Sequence, residues 1–101
     1  MSGLMPAGTI CGANVTGKDG ESLGTISELM IDSGSGAIAY AVLAFGGVLG
    51  VGEKLFAVPW KAFSADAASG ELSLAASAAA LEQREGFDKD AWPTAADASF
   101  S

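Results

Sequence analysis

Residues 36–60, GAIAYAVLAFGGVLGVGEKLFAVPW, decide the fold of this chain, because they hold its longest apolar run, its densest glycines and its clearest turn. The pattern predicts a strand over residues 37–45, a glycine loop over 46–52, and a returning strand over 54–58 closed by Pro59 and Trp60. On the outgoing strand, Ala37, Ala39, Ala41, Leu43 and Phe45 share one face, while Ile38, Tyr40, Val42 and Ala44 share the other. Neither face is polar. Both must therefore be covered, one by the domain core and the other by a helix, the terminal arm or a second subunit, which is the ground for expecting a homodimer.

The same region poses a membrane question, since residues 33–52 carry no charge and match the length of a bilayer-spanning helix. Four glycines among residues 46–52 and a β-branched, aromatic centre oppose a helix there. The expectation is a soluble protein with no membrane insertion. The opening MSGLMPAGTI has no basic segment and too short an apolar core for a secretory signal.

A length of 101 residues fits one domain with one modest core. Half of the residues are hydrophobic and only 17% are charged, so the chain has enough apolar surface to fold. The net charge is −7, and the five cations, Lys18, Lys54, Lys61, Arg84 and Lys89, are scattered. Nucleic acid and anionic membrane are repelled by such a field, so no direct nucleic-acid contact is expected. Cys11 is the single cysteine and cannot form an internal disulfide, which fits a reducing, cytoplasmic setting. It reads as a small buried hydrophobe at a strand start.

Upstream of the hairpin, residues 1–8 read as a flexible N-terminal arm and residues 11–15 as a short strand, with a turn over residues 16–20. Residues 23–31 read as its partner, with Gly24 placed for a bulge or a close backbone approach. Polar residues fall on both faces of that strand, as when a strand changes its inward face at a bend. Asp32, Ser33, Gly34, Ser35 and Gly36 make the next turn. Downstream, residues 64–70 read as an exposed loop and residues 71–74 as a last strand. Ser77 reads as the N-cap of a helix over residues 78–84 that Gly86 stops. Phe87 and Trp92 are expected to pin the C-terminal segment onto the rest.

The glycine loop invites a phosphate-binding reading, but Glu53 and Lys54 stand where a P-loop needs Lys and then Ser or Thr. A dinucleotide fingerprint fails at Leu55. Residues 32–43 end in leucine where a calcium loop needs glutamate. With no histidine there is no Ser-His-Asp arrangement and no His-ligated zinc, so no catalytic, cofactor or metal residues are assigned. Glu82, Glu85, Asp88, Asp90 and Asp97 read as a solvated acidic face in preference to a weak divalent-cation site.

Residues 23–63 carry an LG-x-I-x-x-L-x-I-D opening, a glycine turn, an apolar strand, an FGG-x-LG-x-G-x-K loop and an AVPW closing, and the segment EGFDKDAWP occupies residues 85–93. These features resemble the PRC-barrel family, whose fold is shared by the cytoplasmic part of the photosynthetic reaction-centre H subunit and by RimM. The resemblance implies an all-β fold, a small barrel of five to six strands closed into a ring, with a short C-terminal helix. It divides the chain into an arm at residues 1–8, the barrel at 9–76, and a helix and tail packed on it at 77–101. It further implies a non-enzymatic protein-interaction or adaptor module that binds a protein partner, which joins the homodimer expected from the two apolar faces of the central strand. Alternatives are a small-ligand or metal-binding regulatory barrel, or a ribosome-assembly type of adaptor that binds a basic protein. The expected contact loop is Gly46, Gly47, Val48, Leu49, Gly50 and Gly52. Core or interface positions are Ile38, Tyr40, Val42, Leu43, Phe45, Phe56, Val58, Trp60 and Phe63.

Overall fold

The computed structural model describes residues 4–46, 54–66, 68–88, 90–97 and 100. Among these, the strands are β1 (Asn14–Thr16), β2 (Ser22–Ile31), β3 (Ile38–Phe45), β4 (Lys54–Val58), β5 (Phe63–Asp66) and β6 (Glu71–Leu74). Two short helices flank them, α1 (Ala7–Ile10) and α2 (Ala78–Glu82). The strands form one sheet in the order β4-β3-β2-β1-β6-β5, antiparallel throughout except for the parallel pair β1 and β6.

The sheet curls into a half-barrel whose ladder stays open, because β4 and β5 end the order and no strand pairing joins them among the described residues. The mostly-β architecture and the short helix after β6 are as expected; the closed ring is corrected to a half-barrel. A 3-10 turn at Trp60–Ala62 carries the chain from one end strand to the other, and Pro59 starts that turn because its fixed φ is already suited to it.

Irregularities in β2 produce the curl. Val15 pairs with Gly24 and Thr16 with Ser22, so Leu23 is the extra residue against β1; Ile26 pairs with Leu43 and Glu28 with Val42, so Ser27 is the extra residue against β3. Leu23 and Ile26 are consequently both buried although three positions apart, which accounts for the mixed polarity of both faces in sequence. Gly24 sits at the crossing with φ +144°, and a Cβ there would run into the carbonyl oxygen of Ala44. Only glycine fits.

The inner core gathers one side of every strand, including Val15, Leu23, Ile26, Leu43, Phe56 and Leu72, with Leu81 of α2 fully buried among them. Several elements differ from expectation. The N-terminal stretch contains α1, whose Ile10 is 4% exposed and belongs to this core. Strand β1 starts at Asn14, and Cys11 is the half-buried C-cap of α1. Ser64, Ala65 and Asp66, expected in a loop, form β5 with Phe63 because the hairpin to β6 pairs them with Ser73, Leu72 and Glu71. No described helix is long and apolar enough to cross a membrane, and Ile38–Phe45 within the uncharged region is strand.

Candidate interaction surface

Strand β3 has both faces occupied. Ala41, Leu43 and Phe45 enter the inner core; Tyr40 and Val42, on the outer side, are 1% and 0% exposed and form a second buried cluster with Ala57 of β4. Met30, Ala39, Leu55, Phe87 and Ala96 pack around that cluster. The surplus apolar face that called for a second subunit is thus covered by the chain's own C-terminal segment, described over residues 85–88 and 90–97 and here termed the strap.

The strap is held mostly by main-chain groups. The Phe87 N–H donates to the Leu55 carbonyl at 2.8 Å in an isolated antiparallel bridge, and the Asp97 N–H donates to the Ala57 carbonyl at 2.8 Å. Both acceptors lie on β4, the strand at the end of the sheet, so the strap satisfies an edge that would otherwise be open to pairing. Between these two points the strap swings over β3, where the Tyr40 hydroxyl donates to the Pro93 carbonyl at 2.8 Å. Burial raises the Tyr40 pKa above its ordinary 10.0 and keeps the phenol in its donating form. Trp92 packs on Phe87 in a tilted arrangement with ring centroids 5.3 Å apart yet stays 40% exposed, so Phe87 is the anchor and Trp92 its outer cover. A cleft of about 170 Å³ remains between strap and strand, lined by Leu55, Ala57, Gly86, Phe87, Pro93 and Asp97.

Helix α2 fixes the root of the strap. Ser77 caps it as expected, its Oγ accepting from the Ala80 N–H at 3.2 Å, and Glu21 Oε2 from the β1–β2 turn accepts the Ala78 N–H at 3.1 Å. That bond, with further N–H groups of Glu21 itself and Asp19 and the nearby Lys18 charge, lowers the Glu21 pKa below 4.5 against a smaller opposing effect of burial. At the other end Lys54 Nζ donates to the carbonyls of Glu82 at 2.7 Å and Arg84 at 2.9 Å, a cation placed where the helix carbonyls point. Arg84 pairs with Asp97 at 3.3 Å, and its guanidinium lies 3.9 Å from the Phe100 ring centroid. Gly86 does not cap the helix, which ends at Glu82 with Gln83 as C-cap. It lets the chain lie against β4, since a Cβ there would meet the Leu55 carbonyl oxygen at 2.7 Å.

The structure places the expected residues unequally. Tyr40, Val42, Leu43, Phe45, Phe56 and Val58 are buried, whereas Ile38, Trp60 and Phe63 are half-buried. Gly46 ends β3 with φ +74°; Gly47, Val48, Leu49, Gly50 and Gly52 lie outside the described residues. Leu55, Ala57 and Pro93 were not singled out in sequence, although alternation in KLFAV puts Leu55 and Ala57 on a common apolar face, and Asp97 was read only as part of the solvated acidic face. Elsewhere an open concavity of about 380 Å³ is lined by Thr9, Cys11, Asn14, Thr16, Ser69 and Glu71 among others. Asn14 there already accepts from Ser22 at 2.8 Å, and among the described residues no buried polar side-chain atom lacks a partner and no acidic or thiol group of three could hold a metal.

Residues 3–75 match a family model described as the PRC-barrel domain. The match therefore spans all six strands and stops short of α2 and the strap. Among solved structures the chain is similar to the 16S ribosomal RNA processing protein RimM of Pseudomonas aeruginosa, at 23% identity and a TM-score of 0.47, over 73% of this chain and 44% of that one. The chain thus spans less than half the length of that relative. No curated protein matches.

Proposed function

Because the chain belongs to the PRC-barrel domain family, we propose that it is a non-enzymatic protein-interaction module of the cytoplasm, self-associating, with no cofactor or metal. One observation carries the reading. The β3–β4 hairpin carries an uncharged outer face beside a strand edge, and the chain's own C-terminal strap is seated there through two backbone hydrogen bonds to β4. That is how sheet edges take partner segments in general, with main-chain bonds supplying affinity and side-chain contacts supplying selection. The loop joining the two strands, with Val48 and Leu49, is the second part of the proposed surface. The net charge of −7 favours a partner with a basic face.

The test is capture from the native host on immobilised full-length protein, comparing wild type with Leu49→Asp at matched circular dichroism. A partner retained by the wild type and depleted from the variant is the expected result. The same species at the same yield on both would reject the loop as a contact surface.

A further inference from the structure

We infer that the outer edge of β5 takes an added strand from a partner protein, an extended segment in which Lys or Arg alternates with small apolar residues. The site is distinct from the loop and the strap-covered face of the β3–β4 hairpin.

The two ends of the sheet differ. At one end the strap's Phe87 and Asp97 N–H groups fill the edge of β4. At the other, β5 pairs only with β6, and among the described residues no main-chain group beyond that hairpin bonds to Ser64 or Ala65. Natural sheets blunt such an edge with proline, lysine, a bulge or a cover. Strand β5 has no proline or lysine, its ladder to β6 runs without a register shift, and Ser64, Ala65 and Asp66 are all exposed. Its outer N–H and C=O groups are those that an added strand pairs with, as the strap pairs with β4. With only four residues the edge supplies few main-chain bonds, so side chains must select the segment.

The hairpin states which side chains fit. Ser64 pairs with Ser73 and Asp66 with Glu71, and alternation puts all four on the outer face, opposite the side that carries Leu72 and Leu74 into the inner core. Asp66 and Glu71 are thus like charges directly opposite one another, and among the described residues neither forms an ion pair. Such a pair is unfavourable until a cation joins it. A Lys or Arg opposite Asp66 on a strand added to β5 would stand about 5 Å from it across the new ladder, and its long stem spans most of the further 5 Å or about that to Glu71. An open concavity of about 350 Å³, lined by Thr16, Ser64, Asp66, Glu71 and Ser73 among others, gives that side chain room and hydroxyl acceptors.

The inner face calls for the alternate residues. Ala65 stands opposite the buried Leu72 on the core side, yet is itself exposed because the sheet ends beside it. A valine on the added strand would cover it and extend the core by one position. A second copy of this chain, at net charge −7, would bring carboxylates to carboxylates here, so the fitting occupant is a basic segment of another protein.

The test is a nuclear magnetic resonance titration of the isotope-labelled full chain, at low salt, with the peptide acetyl-Lys-Val-Lys-Val-Lys-amide. Two control peptides run beside it: one with Glu for Lys, and one with Pro for Val, which keeps the charge and cannot complete a ladder. Amide shifts confined to β5 and β6, slower exchange of the outward β5 amides, and saturation by the Lys-Val peptide alone are expected. Asp66→Asn combined with Glu71→Gln removes both charges, while asparagine still accepts from the Ala68 and Ser69 N–H groups in the turn. Binding should weaken about fivefold, the loss of two exposed ion pairs. Shifts at β4 or the strap, equal binding of either control peptide, an unchanged constant in the double variant, or no shift at millimolar peptide would each overturn the proposal. Should the double variant not fold, the comparison of peptides on the wild type decides alone. Leu49→Asp leaves the β5 edge intact, so this site and the loop surface can fail separately.

Discussion

Replacing Tyr40 with phenylalanine isolates one fastening of the strap. The substitution keeps the ring buried in the outer cluster and deletes only the hydroxyl that donates to the Pro93 carbonyl at 2.8 Å. A neutral hydrogen bond of this kind contributes about 1 kcal/mol net, and because Pro93 is half-buried its orphaned carbonyl regains water, so the loss stays near that figure. If the strap opens locally, an increment of that size raises its open population roughly fivefold. Amide exchange is the assay. The N–H groups of Phe87 and Asp97, which donate to Leu55 and Ala57, should exchange about fivefold faster, while Leu43 and Val58 amides keep their protection. Equal acceleration across the sheet would mean that the strap does not open separately; no acceleration at Phe87 and Asp97 would mean that the hydroxyl does not hold it.

The same residue gives an alkaline signature. The folded pKa of Tyr40 is raised above 10.0, so its contribution is complete below that ordinary value and is lost as pH rises through the folded value. Tyr40 is the only tyrosine in the chain, so phenolate absorbance reads this group alone. Titration of the folded protein should lag that of the denatured chain, and coincident curves would contradict the burial of the phenol.

Two further predictions concern the frame that supports the site. Gly24→Ala places a side chain at φ +144° against the Ala44 carbonyl, and backbone strain plus overpacking should cost about 2–6 kcal/mol, seen as a fall in Tm of more than about 8 °C; a loss under about half a kcal/mol would refute the close approach. Glu21 has a lowered folded pKa, so its stabilisation is present above the ordinary value of 4.5 and is lost as pH falls through the folded value. In urea unfolding, the advantage of wild type over Glu21→Gln should therefore shrink between neutral pH and about pH 3, and an advantage that grew in acid would reverse the sign of the argument.

Legibility in the sequence depends on which forces leave a side-chain signature. The β3–β4 hairpin was legible because a two-residue period, a glycine-rich connection and Pro59 each mark it independently. Strand β5 was not, since Ser64, Ala65 and Asp66 are largely exposed and poor in strand propensity; their conformation comes from Phe63 packing on the inner core and from the hairpin turn. A signal for that turn was nonetheless present. Asp32 and Asp66 begin the same Asp-x-x-Ser-Gly pattern, and each carboxylate accepts two N–H groups, from Gly34 and Ser35 in one turn and from Ala68 and Ser69 in the other. In both turns the glycine N–H returns to the aspartate carbonyl at 2.7 Å. Reading the pattern twice would have predicted two hairpins.

The cover on β3 shows a different limit. Apolar residues on both faces state that something must lie on the outer side, because exposed Tyr40 and Val42 would forfeit roughly 1.5–3 kcal/mol each. They do not state whose atoms do the covering. The strap reads as polar, with Asp88, Asp90 and Asp97, because two of its bonds to β4 come from main-chain N–H groups that every residue except proline carries. Among its described side chains Phe87 and Ala96 pack on the cluster, and an alanine is too common in this chain to mark a contact, so one aromatic residue is the legible trace of the attachment.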